Sequence, residues 1–409
     1  MKKNIKKFAP GKDWVWYAPH TTDIFGNEEI HAVTAALKQG WLTTGPLTKQ
    51  FEGKVADIFG KKYGLFVNSG SSANLLAFGI HNFPKGSEVI TPACTFATTL
   101  NPILHYGLTP VFVDVLAGRY TLDISELERA RSKKTVAIMA PHLIGNFVDM
   151  PATRKFADAH KLTVIEDSCD TIGGRINEKP SGTWSDITTT SFYASHIVTT
   201  GGAGGMIMND NEDLHKKARV MREWGRGITQ HDEDIKTRLS AFTIDEKPYD
   251  SAFVFVEQGY NFRPTEMQAA FGLTQLTRLK TAFLKRKKNF HTLREFFSQY
   301  EKFFILPEPF ASSDTNWLAF PLTIRSGAPF TRNSLVSYLE SRKIQTRPLF
   351  AGNIIKHPAY RDMRYRKASD LKNSNHILHH SFLLGVHQGL TPEKLQYVFE
   401  TAAMFLKKY

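Results

Sequence analysis

The sequence predicts an α/β fold in which a mostly parallel β-sheet is covered by helices. Short apolar runs such as Tyr63–Val67 and Leu162–Asp167 have the composition of buried strands. Helical patterns alternate with these runs through the first half of the chain, as they do in proteins with parallel sheets. The chain has 409 residues, which is enough for two domains.

The expected elements follow one another along the chain. Strands are expected at Tyr63–Val67, Glu88–Pro92, Val111–Val115, Val136–Gly145 and Leu162–Asp167, with a further strand ending near Ser191. Helices are expected at Ile30–Gln39, Phe51–Phe59, Pro151–His160 and Asp213–Trp224, and also directly after the segments NSGSSAN and CTF. Each strand in this part is therefore followed by a helix or by a turn rich in small residues.

The pattern changes after Gly205. The segment Gly225–Gln258 is polar and predicts an irregular loop, and residues 265–304 predict one long helix or two. A strand at Trp317–Ile324 and helices at Thr331–Arg342 and Pro392–Lys407 predict a smaller α+β domain. We therefore expect an N-terminal extension (1–25), a large domain (26–280) and a small C-terminal domain (281–409), with the large domain built on a sheet of the seven-stranded type.

Composition excludes several classes of protein. The chain contains only two cysteines, Cys94 and Cys169, which argues against a disulfide framework and favours a reducing compartment. The N-terminal stretch has no apolar core of a signal peptide, and the uncharged run Ile187–Asn209 is too rich in Ser, Thr and Gly to span a membrane. We therefore expect a cytoplasmic protein without a membrane segment.

The positive charge of the chain does not indicate a nucleic-acid partner. The formal net charge is +13, but the basic residues are scattered. The compact run Lys285–Lys288 lies in a helical pattern and is typical of a solvated helix face. An excess of positive charge also suits phosphorylated small molecules.

Polar residues follow several predicted strands at the points where the strands end. The segment Asn68–Asn74 follows a strand and opens a helix, where backbone N–H groups and the helix dipole can bind a phosphate. Asp167 ends another strand, so its carboxylate could pair with a protonated pyridine nitrogen or simply cap a helix. Phe96 could stack on a ring or belong to the core.

These motifs, in this order, make the sequence resemble the DegT/DnrJ/EryC1/StrS family of sugar aminotransferases, which are fold-type I pyridoxal phosphate (PLP) enzymes. The resemblance extends from GWLTTGPLTKQFE through SGSSANLL, EDSCD, SFYASH and GYNFRPTEMQAA to LFAGN. It implies a large α/β domain, a small C-terminal α+β domain and an active homodimer with a shared site.

The resemblance also implies roles for particular residues. Asp167 would pair with the pyridine nitrogen, Phe96 would stack on the ring, and Asn261 would reach the phosphate of the neighbouring subunit. Gly70, Ser71 and Ser191 would hold the cofactor phosphate. Thr44, Arg263 and Arg347 are candidate substrate contacts, the two arginines for the carboxylate of an amino donor such as glutamate. Ala203 stands where family members often carry an acidic residue.

The family's Schiff-base lysine is replaced by His196 in this sequence, and no lysine occurs between Lys179 and Lys216. Imidazole cannot hold PLP covalently, so three interpretations are open. The protein is a catalytically silent cofactor-binding regulator, an aminotransferase-like enzyme with its lysine elsewhere, or an enzyme that uses His196 as a base with pyridoxamine phosphate (PMP). Neutral imidazole suits the last role because its pKa lies near working pH.

One branch of the family, the sugar 3-dehydratases, carries this histidine. The resemblance therefore implies C3 deoxygenation of a nucleotide-linked 4-keto-6-deoxyhexose for a 3,6-dideoxysugar of a surface polysaccharide. Asp170 resembles a carboxylate of that branch and could orient His196, although it could also cap a turn. Some members use an iron–sulfur cluster and a reductase, with cysteines after a WGR motif. The corresponding segment here, Trp224–Asp234, has none, and a cluster needs about four thiolates. We therefore expect no cluster and no reductase partner, with glutamate regenerating PMP from PLP.

Overall fold

A twisted eight-stranded sheet forms the centre of the large domain. The computed structural model describes residues 8–19, 25–227, 238–239 and 241–409. The strand order is β1-β9-β8-β5-β4-β2-β3-β16. All neighbouring pairs from β8 to β16 are parallel, and β9 runs antiparallel to both β1 and β8. The prediction of a mostly parallel sheet is therefore confirmed.

The strands of this sheet are short. They span Tyr63–Val67 (β1), Glu88–Pro92 (β2), Thr109–Val113 (β3), Thr135–Pro141 (β4), Thr163–Asp167 (β5), Ile187–Ser191 (β8), Gly205–Asn209 (β9) and Arg366–Lys367 (β16). Two further short strands, Arg175–Ile176 (β6) and Lys179–Pro180 (β7), join Ser313–Asp314 (β13) in a separate small sheet.

Helices cover both faces of the large sheet. They span Asn27–Lys38 (α1), Pro46–Phe59 (α2), Gly70–Gly79 (α3), Ala97–His105 (α4), Leu127–Ala130 (α5), Met150–His160 (α6), Glu212–Arg222 (α7) and Glu266–Leu276 (α8). Local sequence fixes their ends. The Ser69 hydroxyl caps α3 by accepting from Ser72 N, and Gly60 closes α2 in the left-handed region at φ 70°.

The C-terminal part forms a second layer of helices on a four-stranded antiparallel sheet of order β12-β14-β17-β15. Its strands are Phe304–Ile305 (β12), Ala319–Ile324 (β14), Arg347–Pro348 (β15) and Ser381–Gly385 (β17). Its helices are Leu279–Ser298 (α9), Arg332–Ser341 (α10), Lys372–His380 (α11) and Pro392–Leu406 (α12). Between β15 and α11 the chain returns to the large domain, where Arg366 pairs with Val111 at the sheet edge.

Two local predictions are wrong. Within Gly225–Gln258, of which residues 228–237 and 240 lie outside the described residues, Phe242–Ile244 (β10) and Lys247–Tyr249 (β11) pair as a hairpin. Its turn holds Asp245 and Glu246 at positive φ, without the Asn-Gly signal that marks such turns in sequence. Arg286, expected on a solvated face, is fully buried because it occupies a core-facing position of α9. In the described residues, no helix is both long and apolar enough to span a membrane.

Candidate active site

A cavity of about 290 Å³ opens where the parallel strands of the large sheet end. The strand ends of an open parallel sheet are where ligands of such folds bind. The loops that follow β1, β2, β4, β5 and β8 all contribute to its wall. The predicted site residues that line it are Gly70, Ser71, Phe96, Asp167, Asp170, Ser191 and His196. In the described part of the chain, no lysine lines this cavity.

Asp167 is held as an acceptor at the end of β5. Asn74 Nδ2 and Thr99 Oγ1 donate to its Oδ2 at 2.9 and 2.7 Å, and Cys169 N donates to its Oδ1 at 3.2 Å. These donors stabilise an ionised carboxylate in a buried position. The carboxylate therefore has the orientation and the chemistry to accept a further hydrogen bond from a protonated ring nitrogen in the cavity.

The N-terminus of α3 forms another part of the cavity wall. Ser69, Gly70 and Ser71 line the wall there, and Ser191 at the end of β8 lies directly beside Gly70. A Cβ atom on Gly70 would stand 2.7 Å from the Cβ of Ser191, so glycine is required for this close approach. Free N–H groups, the helix dipole and serine hydroxyls make this corner suitable for a phosphate.

Phe96 lies at the N-terminus of α4 and is 52 % exposed, although it belongs to the cavity wall. Its ring makes an edge contact with Phe350 at a centroid distance of 5.8 Å. A large aromatic ring that remains exposed in a concave site can still cover a flat ligand. This exposure argues against a purely structural role in the core.

His196 lies in the loop after β8 with a defined tautomer. Its Nδ1 is 3.3 Å from the carbonyl oxygen of Ser191, which can only accept, so Nδ1 carries the proton and Nε2 has a free lone pair. Burial lowers the pKa of His196 to about 4, and the charge of Arg286 acts in the same direction. The imidazole is therefore neutral at neutral pH.

Asp170 faces His196 without a direct hydrogen bond. Its Oδ1 is 4.0 Å from His196 Nε2, and its Oδ2 accepts from the backbone N–H of Ile144 at 2.9 Å. Burial raises the pKa of Asp170 to about 7, and the charge of Asp167 adds to this increase. The carboxyl group is therefore partly protonated at neutral pH, which is unusual for an aspartate.

A second histidine–carboxylate pair lies at the base of the cavity. His142 Nε2 donates to Glu166 Oε1 at 3.1 Å, and His142 Nδ1 accepts from Val148 N at 3.2 Å. Glu166 also accepts from the hydroxyls of Ser168, Ser185 and Thr188. Both side chains are fully buried and fully bonded, so this pair supports the floor of the cavity.

Four predicted site residues do not line the cavity of this chain. Asn261 is exposed on the loop before α8, and the guanidinium of Arg263 is bound to Glu223 at 2.6 Å. Arg347 is exposed on β15, shortly before Phe350, which does line the cavity. Thr44 is buried, and its hydroxyl has no hydrogen-bond partner among the described residues.

Sequence reasoning missed Asn74, Thr99 and His142. Asn74 and Thr99 lie inside helices α3 and α4, where polar residues are usually solvated or capping. For Asn74 the available signal was its place in a helix made mostly of small and apolar residues, where a polar side chain needs a buried partner. His142 follows β4, and its position at a strand end could have marked it as Asp167 was marked.

The architecture is that of the fold-type I PLP-dependent transferases. The chain belongs to the DegT/DnrJ/EryC1/StrS aminotransferase family, whose model matches residues 23–403. Among curated relatives, the lipopolysaccharide biosynthesis protein RfbH of Salmonella typhimurium is 38 % identical over 96 % of this chain and 92 % of its own. The dTDP-4-dehydro-2,6-dideoxy-D-glucose 3-dehydratase of Saccharopolyspora spinosa is 37 % identical over 93 % and 85 %. The GDP-4-keto-6-deoxy-D-mannose 3-dehydratase of Yersinia pseudotuberculosis is 32 % identical over 93 % and 97 %.

Solved structures of similar proteins agree with these relatives. The Escherichia coli GDP-4-keto-6-deoxy-D-mannose-3-dehydratase with bound hydrated PLP superposes with a TM-score of 0.85 at 28 % identity, covering 94 % of this chain and 98 % of that one. A GDP-4-keto-6-deoxymannose-3-dehydratase with a trapped PLP–glutamate geminal diamine superposes with a TM-score of 0.85 at 27 % identity, covering 95 % and 99 %.

Proposed function

We propose that this protein is a PLP/PMP-dependent 3-dehydratase that removes the C3 hydroxyl of a nucleotide-linked 4-keto-6-deoxyhexose. One observation carries the proposal. A buried neutral histidine, His196, shares the cavity with Asp167, and in the described residues no lysine lines that cavity. The 3-dehydratases among the relatives support the reaction, and their different nucleotides leave the choice between GDP, CDP and dTDP to experiment.

The cavity fits the cofactor on its own chemistry. Asp167, fixed by Asn74 and Thr99, would hold the ring nitrogen, and Phe96 would cover the ring. Gly70, Ser71 and Ser191 would hold the phosphate at the N-terminus of α3. When bound as PMP, the cofactor supplies an amine for the sugar ketone and a ring that accepts electrons while the C3–O bond breaks.

His196 would act as the base of the elimination. Its Nδ1 proton is engaged by the Ser191 carbonyl, so Nε2 is the atom that accepts a proton. The low pKa of this histidine, caused first by burial, keeps Nε2 unprotonated at neutral pH. Asp170, 4.0 Å away, would orient the ring and stabilise the imidazolium once it forms. A lysine at position 196 would instead capture the cofactor covalently.

Glutamate is the proposed amino donor that converts PLP back into PMP. Its carboxylate needs a cation, and the structure favours Arg347 over Arg263. Arg263 is already paired with Glu223 at 2.6 Å, whereas Arg347 is exposed near the cavity wall and has no ion pair within the described residues. The PLP–glutamate adduct in a similar structure supports this donor. The chain has only two cysteines. Regeneration of PMP by an amino acid is compatible with this number, because it needs neither an iron–sulfur cluster nor a reductase.

A homodimer with a shared site is part of the proposal. Apolar side chains are exposed on two segments of the single chain, Trp41 and Leu42 in the loop before α2, and Phe253, Phe255 and Val256 before Asn261. Exposed large apolar side chains, where they gather in a patch, mark protein interfaces. Asn261, which is exposed five residues after Val256, is the residue we propose for contact with the partner's cofactor phosphate.

The test is mass spectrometry of nucleotide-linked 4-keto-6-deoxyhexoses incubated with the protein, PLP and glutamate. GDP-, CDP- and dTDP-linked sugars form the panel. A product that has lost the C3 oxygen, formed with release of ammonia, is the expected result and identifies the nucleotide. A 4-amino sugar would show an aminotransferase and contradict the role of His196. No change with any sugar, together with PLP binding, would favour a cofactor-binding regulator.

A further inference from the structure

Arg286, on α9, is a buried arginine without a carboxylate partner in the described part of the chain. It is fully buried, and its Nη1 donates to the carbonyl oxygens of Trp317 and Leu318 at 3.3 and 3.1 Å. Its Nε and Nη2 have no hydrogen-bond partner among the described residues. Burying a guanidinium without a counter-charge is costly, so the two carbonyls must offset part of that cost.

The carbonyls that Arg286 binds belong to a segment that is hydrogen-bonded to the turn holding Asp170, a residue of the cavity wall. Leu318 N donates to the carbonyl of Ile144 at 2.8 Å. Ile144 N in turn donates to Asp170 Oδ2 at 2.9 Å, and Asp170 Oδ1 is 4.0 Å from His196 Nε2. A continuous series of hydrogen bonds therefore runs from Arg286 to the carboxyl group that faces the proposed base.

The contact between the two segments is close and strained. Ile144 and Trp317 have φ values of 61° and 48°, in the left-handed region that large and β-branched residues rarely adopt. Gly145 has φ 88°, and a Cβ atom there would stand 2.8 Å from Leu318 N and from Trp317 Cα. Strained residues of this kind persist only where surrounding contacts hold them, and they cluster at functional sites.

Further contacts hold the same segment on both sides of Asp170. Thr315 Oγ1 donates to the Gly145 carbonyl, and Asn316 Nδ2 donates to the Ile172 carbonyl at 3.1 Å. The Trp317 ring stacks on Phe290, one helical turn after Arg286, at a centroid distance of 4.2 Å. Residues 315–318 thus hold both the Ile144 turn, which binds the Asp170 carboxyl group, and the loop that follows Asp170 in the chain.

We propose that Arg286 is a positioning residue that, by binding the carbonyls of Trp317 and Leu318, fixes the Ile144 turn and so the orientation of Asp170 toward His196. The kinetic consequence rests on the proposed dehydratase function, but the geometry does not. Several groups contact His196 or affect its pKa. They are Asp167 at the end of β5, Cys169 and Asp170 after it, Ser191 and Tyr193 near the end of β8, and Arg286 on α9. Burial and the charge of Asp170 raise the pKa of Tyr17, whereas the charge of Arg286 lowers it.

The first experiment follows His196 by ¹⁵N-histidine NMR titration of the cofactor-free protein, with the signal assigned by loss in His196→Asn. Burial lowers the pKa of His196, and the charge of Arg286 lowers it further. Arg286→Met is expected to raise that pKa, because a positive charge that opposes protonation of the imidazole is removed. Lys285→Met removes an exposed positive charge from the adjacent position of the same helix and is expected to leave it unchanged.

A second variant separates position from charge. Gly145→Ala leaves Arg286 in place but forces the 317–318 segment away from the Ile144 turn. It is expected to shift the His196 titration as well, because Asp170 loses its fixed orientation. If Arg286→Met does not fold, Gly145→Ala alone decides. A His196 titration identical to that of the parent in the folded variants, with only a lower melting temperature, would overturn the proposal.

The kinetic experiment uses the loaded enzyme and the sugar that the panel identifies. Arg286→Met and Gly145→Ala are expected to lower kcat by about 10- to 100-fold with little change in KM, because substrate contacts remain. In Arg286→Met the acid limb of the pH profile should move to higher pH, since the base is protonated more readily. If the parent dehydrates no sugar, the proposed function fails, while the NMR titration still decides the role of Arg286.

Discussion

The cavity contains two histidine–carboxylate pairs that the protein treats in opposite ways. At its base, Glu166 accepts from His142 and three hydroxyls, and these hydrogen bonds outweigh burial and lower the pKa of Glu166 to about 2. At its wall, Asp170 accepts one backbone hydrogen bond, and burial raises its pKa to about 7. Glu166 and Asp170 are both buried, so the number of hydrogen-bond donors around each carboxyl group decides whether it is ionised at neutral pH.

The histidines differ in the same sense. His142 has a partner on each ring nitrogen, which leaves no atom for chemistry. His196 is bound at Nδ1 by the Ser191 carbonyl, the Cys169 backbone also approaches the ring, and Nε2 lies 4.0 Å from Asp170, too far for a hydrogen bond. A saturated pair supports structure, whereas an incompletely bonded pair has a free lone pair and a proton that can move. The variants below test this difference.

Replacing His196 by lysine should have the largest effect. His196→Lys is expected to retain the cofactor covalently, giving a yellow protein after dialysis. Dehydration should fall by at least about 10²- to 10⁴-fold, the typical contribution of a general base. The measurements are the absorbance spectrum and the rate of product formation by mass spectrometry. Dehydration at the parental rate would show that His196 is not the base.

Glu166→Gln should cost the most stability. The amide offers one acceptor oxygen in place of two and brings an NH2 group among buried donors, so several hydrogen bonds are lost at a cost of about 3 kcal/mol. The folded pKa of Glu166 is depressed, so its contribution is present above pH 4.5 and is lost as the pH falls toward 2. The difference between variant and parent in the midpoint of urea unfolding should therefore be largest near neutral pH. An unchanged midpoint at neutral pH would show that the saturated pair does not support the fold.

Asp170→Asn should change stability in the opposite direction, so that the variant is more stable than the parent. The folded pKa of Asp170 is raised from 3.8 to about 7, so ionisation destabilises the fold as the pH rises through that window. Asparagine cannot ionise, and the cofactor-free variant should be about 4 kcal/mol more stable than the parent above neutrality and nearly equal to it at pH 4. Turnover should fall, because the imidazolium loses its stabilising charge. Lower stability at every pH would mean that Asp170 is satisfied in the fold.

The sequence predicted the positions of the His196–Asp170 pair, but not how this pair differs from the His142–Glu166 pair. His196, Asp167 and Asp170 follow strands β8 and β5, and parallel strand ends converge, so their meeting could be expected. Strands Tyr63–Val67 and Glu88–Pro92 were predicted with their observed bounds because both are short runs with an apolar centre, followed by small or turn-forming residues. The partners of Glu166 could not be predicted, because Ser185 and Thr188 are far from it in sequence. The directions of their hydroxyl groups also depend on tertiary packing.

Arg286 shows the other limit of sequence reasoning. It stands among lysines, and composition alone places it with them in solvent. The period of the buried positions Ala282, Arg286, Asn289, Phe290 and Leu293 shows that it belongs to the apolar face of α9. Its partners are backbone carbonyls of the small domain, and no side-chain pattern records such contacts.

The smallest effect concerns the individual donors of the saturated pair. Ser185→Ala removes a hydroxyl 2.9 Å from Glu166 Oε2, and a lost hydrogen bond to a charged group should cost about 1–2 kcal/mol. Thr188→Val removes a hydroxyl at 3.3 Å and should cost less. Urea unfolding measures both, and the dehydration rate of each variant should equal that of the parent. If either variant changed the rate without changing stability, the base of the cavity would take part in the chemistry, and the two pairs would not divide structure and function as their hydrogen bonds indicate.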